Sequence, residues 1–183
     1  MSRTLSCGDT LAVIKPLLSY PAVSDTATRH EREHATVQAI LKEQGLPTEV
    51  YHQPDGSPYL NGYQGFISIS HSQESVAIAI NKKKRIGIDT ETWRPQLERV
   101  KHKYLSKREL EIYTGHQGLL IAWCMKEAAY KAAGIKGLEL INGISLPDTL
   151  TGEEIIITPG ALKLKTTLVE LTTTSATVLC VPL

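Results

Sequence analysis

The stretch Leu119–Ala133 constrains this chain more than any other. It is built almost wholly from good helix formers, and Gly134 closes it. On the helical period, Leu120, Trp123, Cys124, Glu127, Lys131 and Gly134 fall on one face. That face is expected to meet the core. Glu127 and Lys131 then stand where a charge is costly unless it is paired or bound to a metal. A plain Glu127–Lys131 pair at i,i+4 meets that need. A polar site at a buried seam meets it equally.

Around this helix the chain alternates strand and helix signals. Leu11–Leu18 reads as a short apolar strand. Ser24 or Asp25 is a candidate cap for a helix that runs to about Gln44 and stops at Gly45. Pro54 to Pro58 is a turn by composition. Strands are predicted over Gly65–Ser70, Ser75–Ile80 and Arg85–Glu91, with Asn81 to Lys84 as the polar turn between the last two. Ser106 and Glu109 form a capping box for a further helix, and Gly115 to Gly118 reads as a break. The tail offers strands over Glu154–Thr158, Leu162–Leu171 and Ala176–Pro182. Two halves, each with helix and antiparallel strands, predict an α+β fold with Ile86–Glu91 near the seam.

The chain has 183 residues, of which 42% are hydrophobic, enough for one core or two small halves sharing one. Its net charge is +1, which excludes a histone-like polycation. Aromatic residues make up only 5%, against a stacking platform for nucleic acid. The sum hides a gradient. Residues 82–108 carry 10 basic and 3 acidic side chains, whereas residues 1–81 carry 5 and 8. The basic middle favours an anionic partner, although lysine runs also serve as plain solvated faces. Cys7, Cys124 and Cys180 lack metal-ligand spacing and read as free thiols. No apolar run suffices to span a bilayer and the first ten residues have no apolar signal core; the free thiols fit a reducing cytoplasm best.

Two polar motifs could carry chemistry. Within Gly87–Glu91, Asp89 and Glu91 are two apart and share one face of a strand. Adjacent carboxylates repel unless a cation lies between them, and a hard divalent ion suits such oxygens. Ser68, Ile69, Ser70, His71 and Ser72 end a strand with hydroxyls and an imidazole, a reasonable phosphate or ribose site. Each motif alone is also compatible with a solvated turn or a helix cap.

Taken in order, these segments resemble the 4′-phosphopantetheinyl transferase superfamily, in its larger surfactin-synthetase-activator class. The resemblance rests on Gly56-Ser57-Pro58, Ser68 to Ser72, Gly87 to Glu91, Tyr104-Leu105-Ser106 with Glu109, and Trp123 with Lys126, Glu127, Ala128 and Lys131. It covers about residues 29–145. It implies a pseudo-dimer of two α+β halves, residues 1–92 with the coenzyme side and residues 93–183 with the catalytic helix, working as one intertwined unit. It further implies transfer of 4′-phosphopantetheine from coenzyme A to a serine of an acyl or peptidyl carrier protein, with release of 3′,5′-ADP. The pathway would be fatty-acid, polyketide or non-ribosomal peptide synthesis.

By that resemblance, Asp89, Glu91 and Glu127 hold Mg²⁺, Glu127 helps deprotonate the serine, and Lys131 stabilises or protonates the leaving phosphate. Arg32, Ser57, Pro58, Ser70, His71, Lys126 and Lys131 bind coenzyme A. An acidic carrier docks on the basic segment 94–108, and the chain works as a monomer without nucleic acid or membrane. Ser57 stands where the family usually has lysine, Gln38 where it often has arginine, and Thr90 where it has an apolar residue. A weakened or inactive homologue that binds carrier or coenzyme is the alternative. A further reading comes from His30, Glu31 and His34, which match a short zinc-peptidase pattern. No third-ligand motif follows it.

Overall fold

The computed structural model describes residues 2–19 and 22–183. In chain order the elements are β1 (Arg3–Cys7), β2 (Thr10–Pro16), α1 (Arg29–Glu43), β3 (Val50–His52), β4 (Pro58–Leu60), β5 (Phe66–His71), β6 (Ser75–Asn81) and β7 (Gly87–Thr92). There follow α2 (Pro95–Val100), α3 (Lys107–Ile112), α4 (Gly115–Ala133), α5 (Leu140–Gly143), β8 (Ile144–Ser145), β9 (Glu154–Ile157), β10 (Leu162–Leu171) and β11 (Ser175–Pro182). The fold is α+β, with two antiparallel sheets ordered β1-β2-β6-β5 and β7-β11-β10-β9-β8, and a small β3-β4 ribbon. Among the described residues no helix is long and apolar enough to cross a membrane.

Each sheet buries one helix. In the first, β2 and β6 pair in a register that sets Val13 opposite Ile78. Val13, Val76, Ile78 and Ile80 pack with Ile40 and Leu41 of α1. In the second, α4 lies on β7 and β11, and Leu120, Met125 and Ala129 join Ile155, Leu164 and Val178. Between the sheets is a third cluster of small and branched side chains: Ala12, Ala77 and Ala79 against Ile86, Ile88 and Leu179. Alanines on one side let the sheets approach closely.

Two expectations need correction at α1 and α4. The cap of α1 is Thr28, in a capping box with Glu31, because the Ser24 hydroxyl is engaged locally with Thr26 instead. Gly115 to Gly118 is the first turn of α4 and not a break. A side chain at Gly118 would come within 2.9 Å of the Tyr113 backbone. That glycine serves close packing where the chain turns into the helix. The Ser106–Glu109 capping box and the left-handed Gly134 cap form as expected.

The strand β7 ties the sheets together. One edge pairs with β11 in an antiparallel ladder. The other edge lies beside β5 without a shared backbone ladder. There the Ile88 and Thr90 amides donate to the Ser68 and Ser70 hydroxyls, at 3.1 and 3.2 Å. Serine side chains thus satisfy amides that a bare edge would leave unpaired. At the start of β7, a Cβ on Gly87 would fall 1.9 Å from the Ala128 carbonyl oxygen. Only glycine lets β7 lie this close to α4.

Candidate functional site

That close approach sets Asp89 beside the last turns of α4. The Lys131 ammonium donates to Asp89 Oδ1 at 2.8 Å and to the Ile88 carbonyl at 3.0 Å. The Ser70 hydroxyl donates to the same Oδ1 at 2.8 Å. The intrahelical Glu127–Lys131 pair is therefore replaced by a pair that crosses from α4 to β7. The helix face expected to meet the core is covered only in part: Leu120 and Cys124 are buried in it. Trp123, Glu127 and Lys131 are half-buried, while residues 119–122, 124–126 and 128–129 are buried. The neighbouring sheet and helices cover α4 on its other sides, so the polar residues lie along the remaining gap.

Three carboxylates share one electrostatic neighbourhood there. Burial raises the Glu127 carboxyl above its ordinary range, and Asp89 and Glu91 add to the rise while Lys131 opposes it. Burial pushes the adjacent Cys124 thiol well up, again with a contribution from Asp89 and Glu91. Glu91 is held by the Arg94 guanidinium at 2.8 Å and accepts from the Thr92 amide at 3.0 Å. Among the described residues no group of three or more His, Cys, Asp or Glu side chains is gathered as a ready-made metal cage. The donor set nonetheless suits a hard divalent cation: carboxylate oxygens only, in mutual repulsion that such an ion relieves.

Lys131 also borders a cleft of about 720 Å³ between the two sheet-and-helix units, and Ser57, Pro58 and His71 line it. Three other expected coenzyme residues do not. Ser70 is buried at 6% exposure and holds Asp89 and the Thr90 amide, so it orients a carboxylate and does not face the cleft. The Arg32 Nε donates to the Leu18 carbonyl at 2.6 Å, which anchors α1 to the preceding segment, outside the cleft lining. Lys126 is fully buried. Its ammonium is bound by both Glu109 oxygens at 2.9 Å and by the Leu140 and Ile144 carbonyls at 2.8 and 2.6 Å. Four acceptors occupy its three N–H donors, and no donor is left for a phosphate.

The cleft also gathers residues that sequence reading did not assign to it: His30, His34, His52, Arg85, Tyr130 and Lys136. The two α1 histidines had a visible i,i+4 spacing. Glu31 between them is engaged by the Thr28 amide and hydroxyl at 2.7 and 2.8 Å, which accounts for it as a cap. Nothing in the local pattern marked Arg85, the last of four consecutive cations.

Of the basic segment, α2 and α3 are anchored by buried Leu97, Tyr104 and Leu105. Arg94 pairs with Glu91, Lys101 with Glu98 and Arg108 with Asp148. Arg99 donates to Gln96. Lys103 and Lys107 are exposed and, among the described residues, have no ion pair.

A family model described as the 4′-phosphopantetheinyl transferase superfamily matches residues 85–176, half of the chain. The match spans β7, Asp89, Glu91 and α4 and leaves out Ser57 and His71. No curated protein matches the chain.

Proposed function

Since the chain belongs to the 4′-phosphopantetheinyl transferase superfamily, we propose that it moves 4′-phosphopantetheine from coenzyme A onto a serine of an acyl or peptidyl carrier protein, as a holo-acyl-carrier-protein synthase, and releases 3′,5′-ADP. One observation carries the reading. Lys131 both borders the large cleft and pairs with Asp89, so it links the carboxylate cluster to a cavity suited to an extended phosphorylated substrate.

Ser57, Pro58 and His71 would receive the nucleotide end of coenzyme A, with Lys131 beside its phosphates. Glu127 would take the hydroxyl proton, directly or through a bound water. Lys131 would place positive charge on the leaving phosphate, in a site where low local dielectric strengthens the interaction. Asp89, Glu91 and Glu127 would hold Mg²⁺. The ion supplies charge neutralisation at the pyrophosphate when bound. Ser70 would keep Asp89 oriented during these events.

We read residues 1–92 and 93–183 as two halves of one pseudo-dimeric unit, intertwined through β7, which pairs with β11 of the second sheet and is stitched to β5 of the first by Ser68 and Ser70. The proposed partner is an acidic carrier that docks on segment 94–108, and the proposed setting is the cytoplasm, with the chain a monomer.

Incubation of candidate apo-carriers with the protein, coenzyme A and Mg²⁺ tests the reaction. Intact-mass spectrometry should find a gain of one phosphopantetheine on the carrier serine and 3′,5′-ADP in solution. Unmodified carriers of all three pathway types overturn it.

A further inference from the structure

We propose that Arg85 is a phosphate-binding residue of the cleft, held in place by an ion pair with Asp55 that an incoming phosphate displaces. The proposal rests on the coenzyme-binding reading above and adds a residue and an exchange of partners to it.

Arg85 lies in the loop that enters β7, on the cleft wall opposite the turn between β3 and β4. Its guanidinium is fixed on two sides. Nε donates to the Lys131 carbonyl at 3.1 Å, and Nη2 donates to Asp55 Oδ2 at 3.3 Å. The group lies over Gly134, where a Cβ would come within 2.4 Å of Nε. Gly134 thus both ends α4 in a left-handed conformation and leaves space for the arginine. Nη1 has no hydrogen-bond partner among the described residues and remains available.

Asp55 is equally well placed. Its other oxygen accepts from the Ser57 amide at 2.9 Å and the Ser57 hydroxyl at 2.6 Å. These bonds, with Arg85 adding, pull its carboxyl down to about 2, so it stays charged at any physiological pH. The Asp55–Arg85 pair spans the cleft from the turn to the end of α4. Both side chains are more than one-third exposed, at 40% and 35%, so water and salt weaken the pair.

The remaining charges favour an anion. The acids in the cleft lining are Glu33, paired with Arg29, and Asp55. Its other cations are Lys131, paired with Asp89, and Lys136, which has no ion pair among the described residues. A phosphate brings more charge than a carboxylate and matches the guanidinium fork with two parallel hydrogen bonds. It therefore competes well for Arg85. Asp55, released, keeps its two bonds to Ser57 and so preserves the turn.

Calorimetric titration of the full chain with 3′,5′-ADP and, separately, with inorganic pyrophosphate tests the exchange. Arg85→Ala should weaken both by at least about tenfold, the loss of a charge-assisted phosphate contact. Arg85→Lys, which keeps the charge and loses the fork, should recover only part of that affinity. Asp55→Asn retains the acceptor for Ser57 and removes the competing charge, so it should bind both ligands more tightly. With coenzyme A as substrate, Arg85→Ala should raise KM more than it lowers kcat.

Affinities for Arg85→Ala within about twofold of the unaltered protein overturn the proposal. So does weaker binding by Asp55→Asn. Pyrophosphate separates the two levels. Arg85-dependent pyrophosphate binding without any carrier modification overturns the proposed reaction and leaves Arg85 as a phosphate ligand. Carrier modification with Arg85-independent binding overturns this inference alone. If neither ligand binds the unaltered protein, the inference fails outright.

Discussion

Lys126 and Lys131 lie on one helix and end in opposite surroundings. Lys126 is buried among four oxygens, and Glu109, its partner, also accepts from the Ser106 and Leu146 amides at 2.8 and 2.9 Å. That network ties α4 to α3 and to the chain around β8. Burial lowers the Lys126 ammonium from its ordinary value, and Glu109 opposes the shift. Removing one partner strands the other as a buried charge. Lys126→Ala should therefore cost about 3–5 kcal/mol, measured by urea unfolding. Lys126→Met combined with Glu109→Leu should recover only part of that loss, because the Ser106 and Leu146 amides and the Leu140 and Ile144 carbonyls then lose their partners. Lys131, half-buried at the cleft, can serve chemistry. The sequence motif presents both lysines alike, since it states spacing and not surroundings. The same blindness applies to Ser70, whose hydroxyl looks like a ligand contact and is in fact spent on Asp89 and Thr90. Glu127 is the residue with no such structural duty. Glu127→Gln should leave the melting temperature nearly unchanged and lower carrier modification by at least about 10²-fold, the usual contribution of a positioned base.

At the scale of elements, β5, β6, β9, β10 and β11 are legible because apolar, strand-prone runs bracketed by turn residues mark each of them. The strand β1 is not. Its sequence has one half-buried residue, Leu5, among exposed ones, as befits the outer edge of a sheet. The start of α1 was misplaced because Ser24 and Thr28 are both good caps, and only Thr28 has Glu31 three residues on. Thr28→Ala should lower stability by about 1 kcal/mol. Glu31, held below its ordinary value of 4.5 by the Thr28 amide and hydroxyl, adds a pH dependence. Its folded value is depressed, so its contribution is present above 4.5 and is lost as pH falls through the lower folded value. Thermal melts of Glu31→Gln should lose that acid-limb dependence. The motif strand β7 shows a different kind of legibility. Its glycine is visible in sequence, but the reason for it, contact with the α4 backbone, is tertiary. Gly87→Ala must push β7 from α4. It should cost about 1–3 kcal/mol or more, the usual range for overpacking. It should also impair carrier modification beyond the stability loss, because Asp89 moves away from Lys131. Equal loss of activity and of folded fraction would show that β7 placement has no separate role.

At the scale of the molecule, the charge gradient along the chain becomes a question of which cations are free. The excess over residues 82–108 is 10 basic against 3 acidic side chains. The fold neutralises much of it locally: Lys83 pairs with Asp9, Arg85 with Asp55, Arg94 with Glu91, Lys101 with Glu98 and Arg108 with Asp148. What remains on α3 and the turn before it is Lys103 and Lys107, both exposed beside the buried anchor Leu105. Unpaired surface charges govern encounter rates and their salt dependence more than final contacts. If an acidic carrier docks here, Lys103→Glu with Lys107→Glu should raise the carrier KM by about tenfold or more at low ionic strength. Lys101→Glu should do less, since Glu98 already offsets that charge. At 1 M salt, where screening acts over about 3 Å, the double variant and the unaltered protein should converge. At each salt concentration the coenzyme A KM of the variants should equal that of the unaltered protein, because Lys103 and Lys107 do not line the cleft. Measured together, the two KM values locate the effect. A change confined to the carrier and erased by salt assigns this face to docking, and a carrier KM unmoved at low salt rejects it.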